Sequence, residues 1–268
     1  GIGLTLLPVF YAHSGFGGAA PNEGQRRFIT SLDGFAALHA AAAEAVRTLP
    51  GGQIGIAPHS LRAVTPDELS ALLAAHRDGP VHIHVAEQTA EVEACVAWSG
   101  QRPVDWLLGR QPVDARWCLI HATHMTAAET AGLARSGAVA GLCPITEANL
   151  GDGIFEGVAY ADAGGAFGVG SDSNVEITAP GELKLYEYGQ RLKHRGRNLL
   201  AAGEGDSTGE ALYRAALAGG AQALGQPCGG IAPGLRADVV VLDTNHPALA
   251  TVPRSHWLDA YVFVAGAQ

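Results

Sequence analysis

The stretch "VHIHVAEQTAEVEACVAWSG", Val81 to Gly100, decides how the chain is read. Val81, Ile83 and Val85 alternate with His82 and His84, a period of two that describes a β-strand with both imidazoles on one face. Glu87 has the opposite parity. It can share the histidine face only if the strand has ended and the chain turns before a helix opened by Thr89, predicted over Thr89 to Trp98. The unit is therefore strand, polar cluster, helix.

The same unit recurs outward in both directions. "GLTLLPVFYAHSGFGG", "QIGIAPHSLRAV", "RWCLIHATHMT", "AVAGLCPITEANLGDG" and "AFGVGSDSNVEI" are each an apolar run followed by polar residues. Between them lie helical stretches, Ser31 to Thr48, Thr65 to His76 and Thr126 to Ser136. Two of these open with a threonine followed by an acid three residues on, Thr65 with Glu68 and Thr126 with Glu129. Buried strands alternating with helices predict an α/β fold with a parallel sheet or barrel, its polar clusters gathered at the C-terminal ends of the strands. Six units are visible where a closed barrel has eight, so the sheet is open or two strands precede Gly1. The opening "GIGLTLLPVF" lacks a methionine and reads as the middle of a buried strand, as in a piece of a longer protein. Past about residue 225, "GGIAPGLRADVVVLDTNHPAL" turns glycine-rich and then β-branched, which predicts the start of a small β appendage.

Composition narrows the partners. A net charge of -9, with Lys184 and Lys193 the only lysines, excludes nucleic acid as an expected partner. No run approaches the roughly 20 apolar residues of a membrane span. Cys95, Cys118, Cys143 and Cys228 are scattered without C-x-x-C pairing, which fits a reducing cytoplasm and neither a disulfide framework nor a thiolate zinc site. The helix from Phe35 to Val46 is apolar enough to cover a barrel or to meet a second subunit, which leaves a homodimer open. An acidic substrate would need a local cation, and Arg62, just past the strand in "APHSLRAV", can grip a carboxylate with His59 as a second donor. The plainer alternative pairs Arg62 on the surface with Asp67 or Glu68.

Taken singly, the candidate groups have ordinary readings too: His82, His84 and Glu87 as hydrogen-bonded rim residues, His124 as a loop residue, Asp172 as a turn signal. Together, strand ends carrying His84, His121 and Asp172 join imidazole and carboxylate ligands suited to a divalent metal, and Glu87 is a carboxylate fit for the proton transfers of metal-assisted hydrolysis.

In this order, "HIHVAEQ", "IHATH", "TEANLGDG" and "GSDSN" resemble the amidohydrolase superfamily, in its aminohydrolase branch with guanine and cytosine deaminases. The likeness extends over "EGQRRFI", "AWSGQRPVDWL", "YGQRLKHRGRN" and "AALAGGAQALGQP". It implies a partial (β/α)8 TIM-type barrel, strands three to eight, over residues 1–225, and part of a small β domain over 226–268. It implies one divalent metal, zinc, with His84 as the fifth-strand ligand and Asp172 as the eighth-strand ligand and base. Glu87 would be the acid/base, His121 would orient the reacting group, His59 and Arg62 would hold a small acidic substrate, and His82 would be a supporting residue. The implied activity is hydrolytic release of ammonia from an amidine carbon. A deaminase of a purine or other heterocycle, or a truncated chain inactive on its own, are the alternatives. The sequence departs from the family pattern in three places: the first-strand H-x-H metal pair has no counterpart, Asn174 stands where a histidine is expected, and "CPITE" is an unusual seventh-strand turn.

Overall fold

The computed structural model describes residues 3–265; Gly1 and Ile2 of the first apolar run, and residues 266–268 of the C-terminal stretch, lie outside them. The first two strand positions are each broken in two. β1 (Thr5–Leu6) pairs with β3 (Gln53–Ile54), and β2 (Val9–Phe10) with β4 (Ala57–Pro58), all parallel. Pro8, which has no N–H to give a ladder, sits in the first break. At Gly55, in the second, a Cβ would fall 2.1 Å from the carbonyl of Pro80, so only glycine lets the next strand approach.

From there the sheet is regular. β5 (Val81–Val85), β6 (Trp117–His121), β7 (Val139–Leu142) and β8 (Ala166–Val169) pair in sequence order, all parallel. Bridges from Ile56 to Val81 and from Ser60 to His84 join β5 to the earlier pairs. The result is six strand positions of a partial α/β barrel, and among the described residues no ladder closes β8 onto β1.

Helices α1 (Leu32–Arg47), α2 (Pro66–Ala75), α3 (Thr89–Ser99), α4 (Pro103–Arg110) and α5 (Ala127–Ser136) connect the first strands. Ser31 caps α1, and Thr65 with Glu68 and Thr126 with Glu129 form reciprocal capping boxes on α2 and α5, as their spacing predicts. Thr89 does not cap α3. Gln88 occupies that position without a side-chain bond, and the acid Glu91 takes over the nearby N–H groups. The apolar face of the strands, with Val81, Ile83, Val85, Trp117 and Leu119, is sealed against Leu69, Leu72, Val92, Leu107 and Leu133. On α1, Phe35 and Val46 are buried while Leu32 and Leu38 stay exposed.

The chain continues through α6 (Pro144–Leu150), α7 (Gly157–Asp162), α8 (Ala179–His194) and α9 (Thr208–Ala223). α9 lies so close to β8 that a Cβ on Gly219 would sit 2.0 Å from the carbonyl of Phe167. Its last residue, Ala223, packs with Cys118 and Val139 on the face opposite the helices, at the end where the strands begin.

The expected C-terminal strand is not formed. Val239, Val240 and Val241 are exposed and unladdered; the described chain instead ends in α10 (Trp257–Ala260) and a wider helical turn over Tyr261–Ala265. Phe263 of that turn stacks on Tyr188 of α8. A β-branched run becomes a strand only where it pairs with a neighbouring edge, and among the described residues no strand pairs with it. No helix among the described residues is long and apolar enough to cross a membrane.

Candidate active site

The site is built at the C-terminal ends of β5, β6 and β8. Along β5 the apolar residues are buried against the helices and both histidines face the other way. His84 Nδ1 donates to the carbonyl of His59 at 2.7 Å, which fixes the ring and leaves Nε2 as a free lone pair. His82 Nε2 donates to the carbonyl of Ala223 at 2.7 Å instead, which makes it a supporting residue of the sheet's opposite end.

The turn that Glu87 requires is present. Ala86 adopts a left-handed φ of 51°, and Glu91 in the first turn of α3 accepts the N–H of Glu87 at 3.0 Å. Glu87 is thereby swung toward β6, with Oε1 3.7 Å from His121 Nε2 and Oε2 3.6 Å from Arg62 Nη2. Arg62 thus faces the mouth of the site. Its surface alternative is not seen: Glu68 is engaged by His13 at 2.9 Å and by its capping box.

His121 ends β6 fully buried, with φ at 67°, followed by Ala122 at 47°. Its Nδ1 lies 3.2 Å from Glu147 Oε1, which also accepts the N–H of Cys143 at 3.0 Å. Asp172 follows β8, exposed, with φ at 37°. Left-handed backbone is unfavourable for residues with a side chain, so its recurrence at three strand ends marks places where the surrounding structure holds the chain against its preference. The ligand atoms of His84, His121 and Asp172 all lie within 4.8 Å of one another.

Electrostatics follow from this packing. Burial lowers the pKa of His59 to about 4, helped by the nearby His84 and Arg62, so it is neutral near pH 7. Burial also lowers His84. For His121 burial acts downward too, but the hydrogen bond to Glu147 and the charges of Glu87, Glu147 and Asp172 outweigh it and raise the pKa. Two imidazoles and a carboxylate converging from separate strands, one imidazole with its lone pair freed by a carbonyl, suit a borderline divalent ion. The surplus of acids around them favours a cation in the same place.

His59 lies between groups that the sequence singled out: its ring centroid is 4.8 Å from that of His84. His124 is outside the site, donating to the carbonyl of Asp152 at 2.7 Å, the loop role that its position suggested. The structure adds Thr146, Glu147, Glu91 and Glu182, to which the sequence pattern assigns no role of their own. Thr146 Oγ1 is 2.8 Å from Ser173 Oγ, and Glu182 accepts the N–H of Ile145 at 2.9 Å. The signals for Glu147 were its place in "TEANLGDG" and an acid in the first turn after a strand end, a pattern that capping alone explains.

The model of the amidohydrolase family matches residues 28–267. The chain belongs to the amidohydrolase family. It is 54% identical, over 99% of its length, to the formimidoylglutamate deiminase of Pseudomonas aeruginosa, and covers 59% of that protein. The crystal structure of an amidohydrolase from Brucella melitensis superposes with a TM-score of 0.94 at 57% identity, over 98% of this chain and 58% of that one. An adenosine deaminase from Xanthomonas campestris with bound zinc gives a TM-score of 0.79 at 27% identity, over 96% of this chain and 56% of that one. The chain thus spans less than two thirds of the length of these relatives, and the barrel expected from the strand and helix order is the architecture of the family.

Proposed function

We propose that this chain forms the larger part of a zinc-dependent deiminase that converts N-formimino-L-glutamate and water to N-formyl-L-glutamate and ammonia, a step of histidine degradation in the cytoplasm. The observation that carries the reading is the line from Arg62 through Glu87 to His121, set beside the His84, His121 and Asp172 cluster. A guanidinium for a carboxylate, an acid/base and a cluster suited to a cation then stand within one mouth. The 54% identity to a formimidoylglutamate deiminase supports this substrate over a heterocycle. The small β unit expected over 226–268 is part of the same proposal, with the exposed valines 239–241 as its strand.

In this reading His84 and Asp172 hold the ion, which would polarise the reacting group and ease deprotonation of water. Of the two protons of the attacking water, Asp172 would take one and Glu87 Oε1, facing His121 Nε2, would pass the other to the imino nitrogen. Once the proton held by Asp172 has followed, the C–N bond breaks and ammonia leaves as the water oxygen becomes the formyl oxygen. His121 orients the reacting group and donates where negative charge develops. Arg62 and neutral His59 hold the substrate carboxylates, so that the formimino carbon stays near the cluster.

Substrate class is tested through Arg62. Arg62→Lys keeps the charge but loses the two-pronged fork, so in the intact protein KM for N-formimino-L-glutamate should rise, and rise further in Arg62→Ala, at unchanged zinc content. A neutral formamidine should be little affected. Unperturbed kinetics in both variants, with turnover of a purine, would replace the deiminase by the heterocycle reading.

A further inference from the structure

β7 ends at the mouth without delivering a metal-facing side chain, yet the turn after it reaches both neighbouring strands. Thr146 and Glu147, consecutive in the first turn of α6, are 1% and 4% exposed, burial that an acid and a hydroxyl accept only when they are hydrogen-bonded. Consecutive residues on a helix diverge by roughly 100°, and these two go to opposite sides. Glu147 Oε1 lies 3.2 Å from His121 Nδ1 on β6. Thr146 Oγ1 lies 2.8 Å from Ser173 Oγ, accepts the Ser173 N–H at 3.3 Å and is 3.4 Å from the carbonyl of Ser171. Ser171 and Ser173 are the residues on either side of Asp172.

We propose that Thr146 and Glu147 are positioning residues that act as one brace: Glu147 fixes the ring of His121, Thr146 fixes the loop of Asp172, and the turn after β7 thereby sets the separation of the two groups. The inference rests on the metal-dependent reading of the site. The left-handed φ of 37° at Asp172 explains why a brace is needed, since an unsupported aspartate would relax out of that conformation. The turn is itself pinned from behind, where the Glu182 carboxylate on α8 accepts the Ile145 N–H at 2.9 Å. The strand with no ligand of its own is therefore the one that gauges the distance between its neighbours.

The test uses the intact protein, with zinc affinity read by chelator competition and the tautomer of His121 read by nitrogen NMR in the metal-free state. Thr146→Val, nearly isosteric but without the hydroxyl, should weaken zinc binding and lower kcat by about 10- to 100-fold, the usual effect of removing a group that orients a metal ligand. KM should be nearly unchanged, and Thr146→Ser should restore both. Glu147→Ala should change the His121 tautomer population, whereas Glu147→Gln, which keeps an acceptor oxygen, should change it less. Wild-type zinc affinity and kcat in Thr146→Val, with His121 unaltered in Glu147→Ala, would overturn the brace while leaving the deiminase standing. Absence of zinc binding in the wild-type protein would remove both.

Discussion

His82 and His84 lie two residues apart on one face of one strand, and their surroundings divide the molecule into a mouth and a floor. At the floor, where the strands begin, the side-chain nitrogens of His82 and Gln226 are bonded within the fold, His82 to the carbonyl of Ala223 and Gln226 Nε2 to Leu4, Thr5 and Gly51, while Gln226 Oε1 and Trp117 Nε1 are buried without a hydrogen-bond partner among the described residues. At the mouth, one nitrogen of His84 is tied down so that the other is left over, Asp172 is exposed, and buried Arg62 Nε and Glu182 Oε1 have no partner among the described residues. Three strand ends there hold left-handed backbone outside glycine. The difference lies in the two histidines and in the backbone: His82 is used within the fold, whereas the free nitrogen of His84 and the strained strand ends gather at the mouth, the polarity expected of strands whose C-terminal ends carry chemistry.

The largest effect should come from exchanging the two histidines' fates. In the intact protein His84→Ala and Asp172→Asn should each remove most of the bound zinc and nearly all activity. His82→Ala should keep both and lower Tm by a few degrees, the cost of about one buried hydrogen bond. Loss of zinc in His82→Ala, measured by metal analysis, would erase the distinction between mouth and floor. Next, Glu87→Gln should retain zinc and KM while kcat falls on the order of 10²-fold; unchanged turnover ends its role as proton carrier, and lost metal would make it a ligand.

The smallest effect concerns stability against pH. Burial, with Glu147, Glu176 and Asp172 nearby, raises the pKa of Glu182 to about 7, although the Ile145 N–H acts the other way. A carboxyl whose folded pKa lies above its unfolded value favours the fold most below the unfolded pKa, near 4.5, and that contribution is lost as pH rises through about 7. Glu182→Gln, which cannot ionise, should therefore raise Tm relative to wild type more at pH 8 than at pH 5 in thermal melts. An equal shift at both pH values would mean that Glu182 is already ionised in the fold.

What could be read from sequence was local. Caps at Thr65 and Thr126 are signals within four residues, and each forms as read. His84, Glu87, His121 and Asp172 were legible because a strand end in an α/β alternation predicts where a side chain will point. The roles of Thr146 and Glu147 were not, because their meaning lies in partners 27 and 26 residues away, Ser173 in the loop after β8 and His121 at the end of β6, which neither "CPITE" nor "TEANLGDG" names. The breaks at Pro8 and Gly55 were hidden for a similar reason, since a close approach belongs to two segments at once. The valines 239–241 show the converse, a sound local preference that no described strand pairs with.

The contacts of mouth and floor also differ in how far they reach along the chain. His84 meets His59 across 25 residues and His121 meets Glu147 across 26, whereas His82 meets Ala223 across 141 and Gln226 meets Leu4 across 222. Short loops close first, because long ones must lose more chain entropy before any contact rewards them. During folding, the mouth can therefore assemble strand by strand as the chain lengthens, and the docking of α9 is the late event that locks the floor.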